Sequence, residues 1–200
     1  WVAPGAMGLD LSRLGVRKIK ALAGLPLTEL DLCESNVNDL EVLYGMPLKR
    51  LTVSSPVVRD VRPLVRSPLE TLNLTGCPEL SDVRPLAKIK TLRYLGIDAT
   101  AVRDISPLAE LPLVHISLPQ GVTRLDALTK MPLNSLALHA IADLAPLRGK
   151  PIESLSCPIM EDKPDFSPLR DAPLRVLWLG VSESRPPSIE ILRPLTGRKL

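Results

Sequence analysis

Along the chain, two leucine-type residues flanking one other residue return about every 21 positions. The pairs are Leu9/Leu11, Leu30/Leu32, Leu51/Val53, Leu72/Leu74, Leu95/Ile97, Ile116/Leu118, Leu136/Leu138, Leu155/Cys157 and Leu177/Leu179. Apolar residues alternating in this way predict a short strand with one buried face. Each pair is followed by a polar stretch and then by apolar residues at i, i+3 and i+6, as in Leu40, Leu43 and Met46. A period of three suits a short 3₁₀ turn rather than an α-helix. Leu30, Leu32, Val37, Leu40, Leu43, Met46 and Pro47, shifted back by 21, become Leu9, Leu11, Val16, Ile19, Leu22, Leu25 and Pro26, and every residue type is preserved. Nine units of about 19 to 27 residues account for nearly the whole chain.

The segment "DISPLAELPL" at residues 104–113 has close copies at Asp60, Asp143 and Asp165. Its two prolines fit neither a long helix nor a central strand. They fit a return turn. Asp39, Asp60, Asp82, Asp104, Asp143 and Asp165 each precede an apolar residue and are placed to cap that turn through its free N–H groups. The first proline falls where a missing N–H costs little. The second, as at Pro26, Pro47, Pro68, Pro112, Pro132, Pro151 and Pro173, directs the chain into the next strand.

The resulting consensus, L-x-x-L-x-L-x-x-x-x-V-x-D-L-x-P-L-x-x-L-P, resembles the leucine-rich repeat in its short, internalin-like form. It is also similar to repeat regions attached to bacterial Ser/Thr kinases. One unit, "LETLNLTGCPELSD" from Leu69, looks more like the cysteine-containing repeats of F-box adaptors. The resemblance implies an α/β repeat fold: a right-handed solenoid with a concave parallel β-sheet and short 3₁₀ or turn segments on its convex side. Strands about 4.8 Å apart would give nine units a length of roughly 40 Å. The expected organisation is one domain over residues 1–200, itself a fragment of a longer chain, because Leu200 matches the residue that opens a further coil. "WVAPG" at the start would be a thin cap, and "SESRPPS" at residues 182–188 a protruding loop or a decaying terminal repeat.

Composition narrows the function. Apolar residues make up 45% and aromatics 2%, so the core is aliphatic. A net charge of +3 does not by itself point to nucleic acid. No run of 18 apolar residues predicts a membrane span, and no secretory signal pattern opens the sequence. Cys33, Cys77 and Cys157 are scattered, which suggests neither a disulfide framework nor a zinc site and fits a reducing, cytoplasmic setting.

Three rows of side chains should face the concave surface. One carries Arg50, Thr71, Tyr94 and His115, with residue types that commonly anchor interfaces, and Trp178 is a second anchor in the last strand. These five are the expected binding residues for a protein partner. The alternative is a spacer in a multidomain signalling protein, favoured by the many small residues on this face. No enzyme activity, cofactor, metal, nucleic acid or membrane insertion is expected, and the oligomeric state is open. His115 and His139 come from adjacent strands but stand four residues apart along them, roughly 13 Å, too far to share one ion. Ser117, His115 and Asp98 make a triad on paper only, with no nucleophile turn beside them. Asp10, Glu29 and Asp31 read as a solvated acidic patch, and Arg59, Arg62, Arg66, Arg84, Lys88, Lys90 and Arg103 as a basic convex stripe that favours solubility. The "NLT" sequon at Asn73 lies in a predicted strand, which disfavours its modification.

Overall fold

The computed structural model describes residues 7–139, 143–159, 165–181 and 189–195. The "WVAPG" cap, the 182–188 insertion and the tail that ends in Leu200 lie outside them.

Each alternating apolar pair lies in or at the end of a short strand. The strands are β1 (Gly8–Asp10), β2 (Glu29–Leu32), β3 (Arg50–Val53), β4 (Thr71–Asn73), β5 (Tyr94–Gly96), β6 (His115–Ser117), β7 (Ser135–Ala137), β8 (Ser154–Ile159) and β9 (Val176–Val181). They pair in chain order, all parallel, in one sheet. The register puts like on like: Leu9, Leu30, Leu51, Leu72, Leu95, Ile116, Leu136, Leu155 and Leu177 are successive partners. A slip of one residue would turn this whole row outward, so burial itself fixes the register.

Between strands the chain returns through 3₁₀ turns, for example Glu41–Leu43, Arg62–Arg66, Arg84–Lys88 and Ser106–Leu108. Pro63, Pro85, Pro107, Pro146 and Pro168 sit at the start of their turns, where no backbone N–H is missed. The core is a continuous aliphatic stack between sheet and turns, in which Leu72, Leu95, Ile116 and Leu86 are fully buried and, among the described residues, Phe166 is the one aromatic of the large, fully buried side chains.

The capping aspartates act one position earlier than helix capping implies. Oδ1 of Asp39, Asp60, Asp82, Asp104, Asp143 and Asp165 accepts the N–H of the residue two further on, at 2.8–2.9 Å. The residue in between, such as Leu40 or Ile105, holds the cap position itself. The device is an Asx turn leading into the 3₁₀ segment. A turn of three to five residues offers so few free N–H groups that a carboxylate reaching its first one suffices.

Candidate functional site

The strand register builds the concave row residue by residue. Arg50 is the partner of Thr71, Thr71 of Tyr94, and Tyr94 of His115. Tyr94 is 49% exposed, and its ring stacks on that of His115 with centroids 6.4 Å apart and planes at 29°. The other side of His115 is held by Ser135, whose Oγ lies 2.9 Å from Nδ1. Burial pushes the His115 ring below the ordinary histidine range, and the nearby Asp98 charge opposes this. Arg50 is exposed and Thr71 half-buried. Trp178, at 70% exposure, faces solvent from β9. It stands three strands beyond His115, roughly 14 Å, and so does not join the group.

A second cluster spans four coils just beyond the strand ends. Ser117 Oγ and Thr75 Oγ1 both donate to Asp98 Oδ2, the latter at 3.3 Å. His139 Nδ1 lies 2.8 Å from Asp98 Oδ1 and 3.0 Å from the Leu118 carbonyl oxygen. Two acceptors facing one ring nitrogen assign the proton to Nδ1. The Asp98 Oδ1 atom is buried beneath the His139 ring. Asn73 Oδ1 accepts the Thr75 N–H at 2.9 Å, and glycine at 96 makes room: a Cβ there would lie 2.8 Å from Asn73 Oδ1. Beside the cluster opens a depression of about 1040 Å³, whose walls include Asp98, Arg103, Gln120, Thr123 and His139.

This geometry dissolves the paper triad. Ser117 faces the carboxylate directly and His115 faces Ser135, so no imidazole stands between hydroxyl and acid. The two histidines take separate partners. Sequence reasoning missed the Asp98–His139 contact because Pro119 separates them in the same concave row. Pro119 is buried and short, and both longer side chains reach across it.

The acidic patch is held by its own backbone: Asp10 Oδ1 accepts the Ser12 N–H and Asp31 Oδ1 the Cys33 N–H, each at 2.8 Å. Three residues of the basic stripe, Arg59, Arg62 and Arg84, have carboxylate partners. Arg62 binds Asp60 at 2.6–3.0 Å, Arg84 binds Asp82 at 2.8–2.9 Å, Arg59 lies 3.1 Å from Glu79, and the Arg66 guanidinium stands 5.6 Å over the Tyr44 ring. The three cysteines are free, and among the described residues no helix is long and apolar enough to cross a membrane.

The like-on-like parallel ladder, closed by 3₁₀ turns at a 21-residue repeat, decides the architecture. The chain is a leucine-rich-repeat solenoid. No family model and no curated relative matches the sequence. Among solved structures, an internalin (InlF) from Listeria monocytogenes is similar at a TM-score of 0.71 and 27% identity, over 90% of this chain and 55% of that one. The functional domain of InlJ from the same organism, a protein with a cysteine ladder, aligns with a TM-score of 0.37 and 14% identity over 94% of this chain and 56% of that one. The solenoid thus spans just over half the length of either solved chain.

Proposed function

We propose that this solenoid is a protein-interaction module that docks a partner on its concave sheet, with Arg50, Thr71, Tyr94 and His115 as the central contact and Trp178 as an outlying one. The observation that carries the reading is the exposed Tyr94 ring stacked on His115 near the middle of the sheet. Aromatic and arginine side chains in a preformed, rigid row are where binding energy concentrates, because little order is lost when a partner arrives. Likeness to an internalin repeat domain supports the same use of the fold. The many small residues on the concave face, serine, threonine, glycine and alanine, favour a second reading, a spacer with no ligand of its own.

The two separate in a pull-down from the source cells followed by affinity measurement. A partner captured by the wild type should lose at least about 2 kcal/mol of binding on Tyr94→Ala, as central aromatic anchors do. It should bind convex Arg84→Ala as it binds wild type. Capture that ignores Tyr94→Ala and fails with Arg84→Ala would move the site to the convex face. No capture at all would favour the spacer.

A further inference from the structure

The concave face differs chemically between its two ends. Over β1 to β3 it carries Asp10, Glu29 and Asp31 against a single cation, Arg50, on a chain whose formal net charge is +3. From β7 to β9 the strands contain no charged residue, and Val176 and Trp178 stand 41% and 70% exposed. Elsewhere carboxylates pair with cations of a neighbouring coil, as Glu70 with Lys49, Glu79 with Arg59 and Glu110 with Lys130. Among the described residues, Asp10, Glu29, Asp31 and Arg50 enter no ion pair, although Glu29 and Arg50 are partners in the register.

The fold does not need these charges. Asp10 and Asp31 are direct register partners on strands about 4.8 Å apart, where like charges oppose folding. Each accepts a backbone N–H, from Ser12 and from Cys33, at 2.8 Å. Two strands further along the same row, Asn73 accepts the Thr75 N–H at 2.9 Å and achieves the same turn without a charge. The repeat thus contains the neutral alternative and uses it in mid-sheet, while its N-terminal end keeps carboxylates that repel each other. The Ser12 side chain and N–H hold the Asp10 carboxyl below the usual carboxylate range, so it is charged at neutral pH.

We propose that the protein docked on the concave sheet lies across the strands in one direction, with lysine or arginine side chains over Asp10, Glu29 and Asp31 and an apolar surface on Val176 and Trp178. The unpaired carboxylates offer charge-assisted acceptors at the first end. Trp178 offers a large apolar anchor at the second. Seven strand spacings separate β2 from β9, roughly 34 Å, so one partner must span the face to meet both ends. A reversed approach would cover unpaired carboxylates with apolar groups, which is costly. Tyr94 and His115 lie between the ends and serve either direction, so it is the charge that orients the partner. The proposal rests on the concave face being the docking surface, but its test needs no natural partner.

The probe is a dodecapeptide with four lysines at one end and Leu-Trp at the other, joined by a Gly-Ser linker and able to reach about 40 Å when extended. A nitroxide is placed at either end, and line broadening is read in NMR spectra of the 200-residue chain. The label at the lysine end should broaden the β1 to β3 amides, and the label at the Trp end those of β8 and β9. The same peptide with glutamates in place of lysines should not reproduce this pattern. Asp10→Asn combined with Asp31→Asn keeps both backbone acceptors and should melt no lower than wild type. It should nevertheless bind the lysine peptide at least about three-fold more weakly, the scale of two exposed charge contacts. Raising the salt from about 50 mM to about 500 mM should erase that difference. No broadening, broadening that ignores which end is labelled, equal binding of the glutamate peptide, equal binding by the Asn pair, or an Asn pair less stable than wild type would each overturn the proposal. If one of these is found while Tyr94→Ala still weakens a captured partner, concave docking stands and only its direction falls.

Discussion

Neighbouring residues in one strand have opposite jobs. Leu72 is fully buried in the ladder between Leu51 and Leu95, whereas Thr71, one position away, is half-buried on the concave face. Leu72→Ala should cost roughly 2–5 kcal/mol by denaturant melting, the range for truncating a buried leucine. Thr71→Ala should cost less than about 0.5 kcal/mol, as surface changes do. Equal losses would mean that the two faces have been misassigned. These positions were readable from the sequence because the repeat writes each residue type nine times. The Asp98 cluster was not, since Asp98 and His139 stand two coils apart and meet only because Pro119 leaves the space between them. A row of side chains shows which residues share a face, but not which of them reach past a neighbour.

At the scale of the element, the return turn is held by its aspartate. The Ser106 N–H holds the Asp104 carboxyl below the usual carboxylate range, and the N–H of Ser167 does the same for Asp165. Arginine side chains do it for Asp60 and Asp82, through Arg62 and Arg84. A carboxylate with a lowered folded-state pKa stabilises the fold above its unfolded value, near 3.9, and that contribution disappears as pH falls through the folded value. The solenoid should therefore hold its melting temperature from neutral pH down to about 4 and lose it progressively below. At pH 7, Asp104→Ala should lower the denaturation midpoint and Asp104→Asn should restore most of it, because an amide oxygen accepts the same N–H. An Asn variant as unstable as Ala would show that charge, not acceptance, is the aspartate's contribution. The strands and turns were legible because alternation and a period of three are local signals. The Asx geometry was not, because the same Asp pattern precedes both a capped α-helix and this shorter turn, and only the number of turn residues separates them.

Across the whole molecule, each coil touches only its neighbours, so stability adds up along one dimension. Burial fades toward the ends of the described array: Leu95 and Ile116 are fully buried, whereas Leu9, Leu11, Leu177 and Leu179 are only partly so. Native-state hydrogen exchange on this chain should show the β1 and β9 amides opening first and those of β4 to β6 last. Uniform protection from end to end would contradict a nearest-neighbour stack. A rigid middle is also where the concave row lies, which gives Tyr94 and His115 a fixed geometry before any partner arrives. Whether that row is the working surface is the central claim, and site-directed photocrosslinking in the source cells tests it most directly. A photoreactive phenylalanine analogue at position 94 should capture a defined protein, whereas the same analogue at convex position 84 should capture none. Capture from position 84 with none from position 94 would contradict the account.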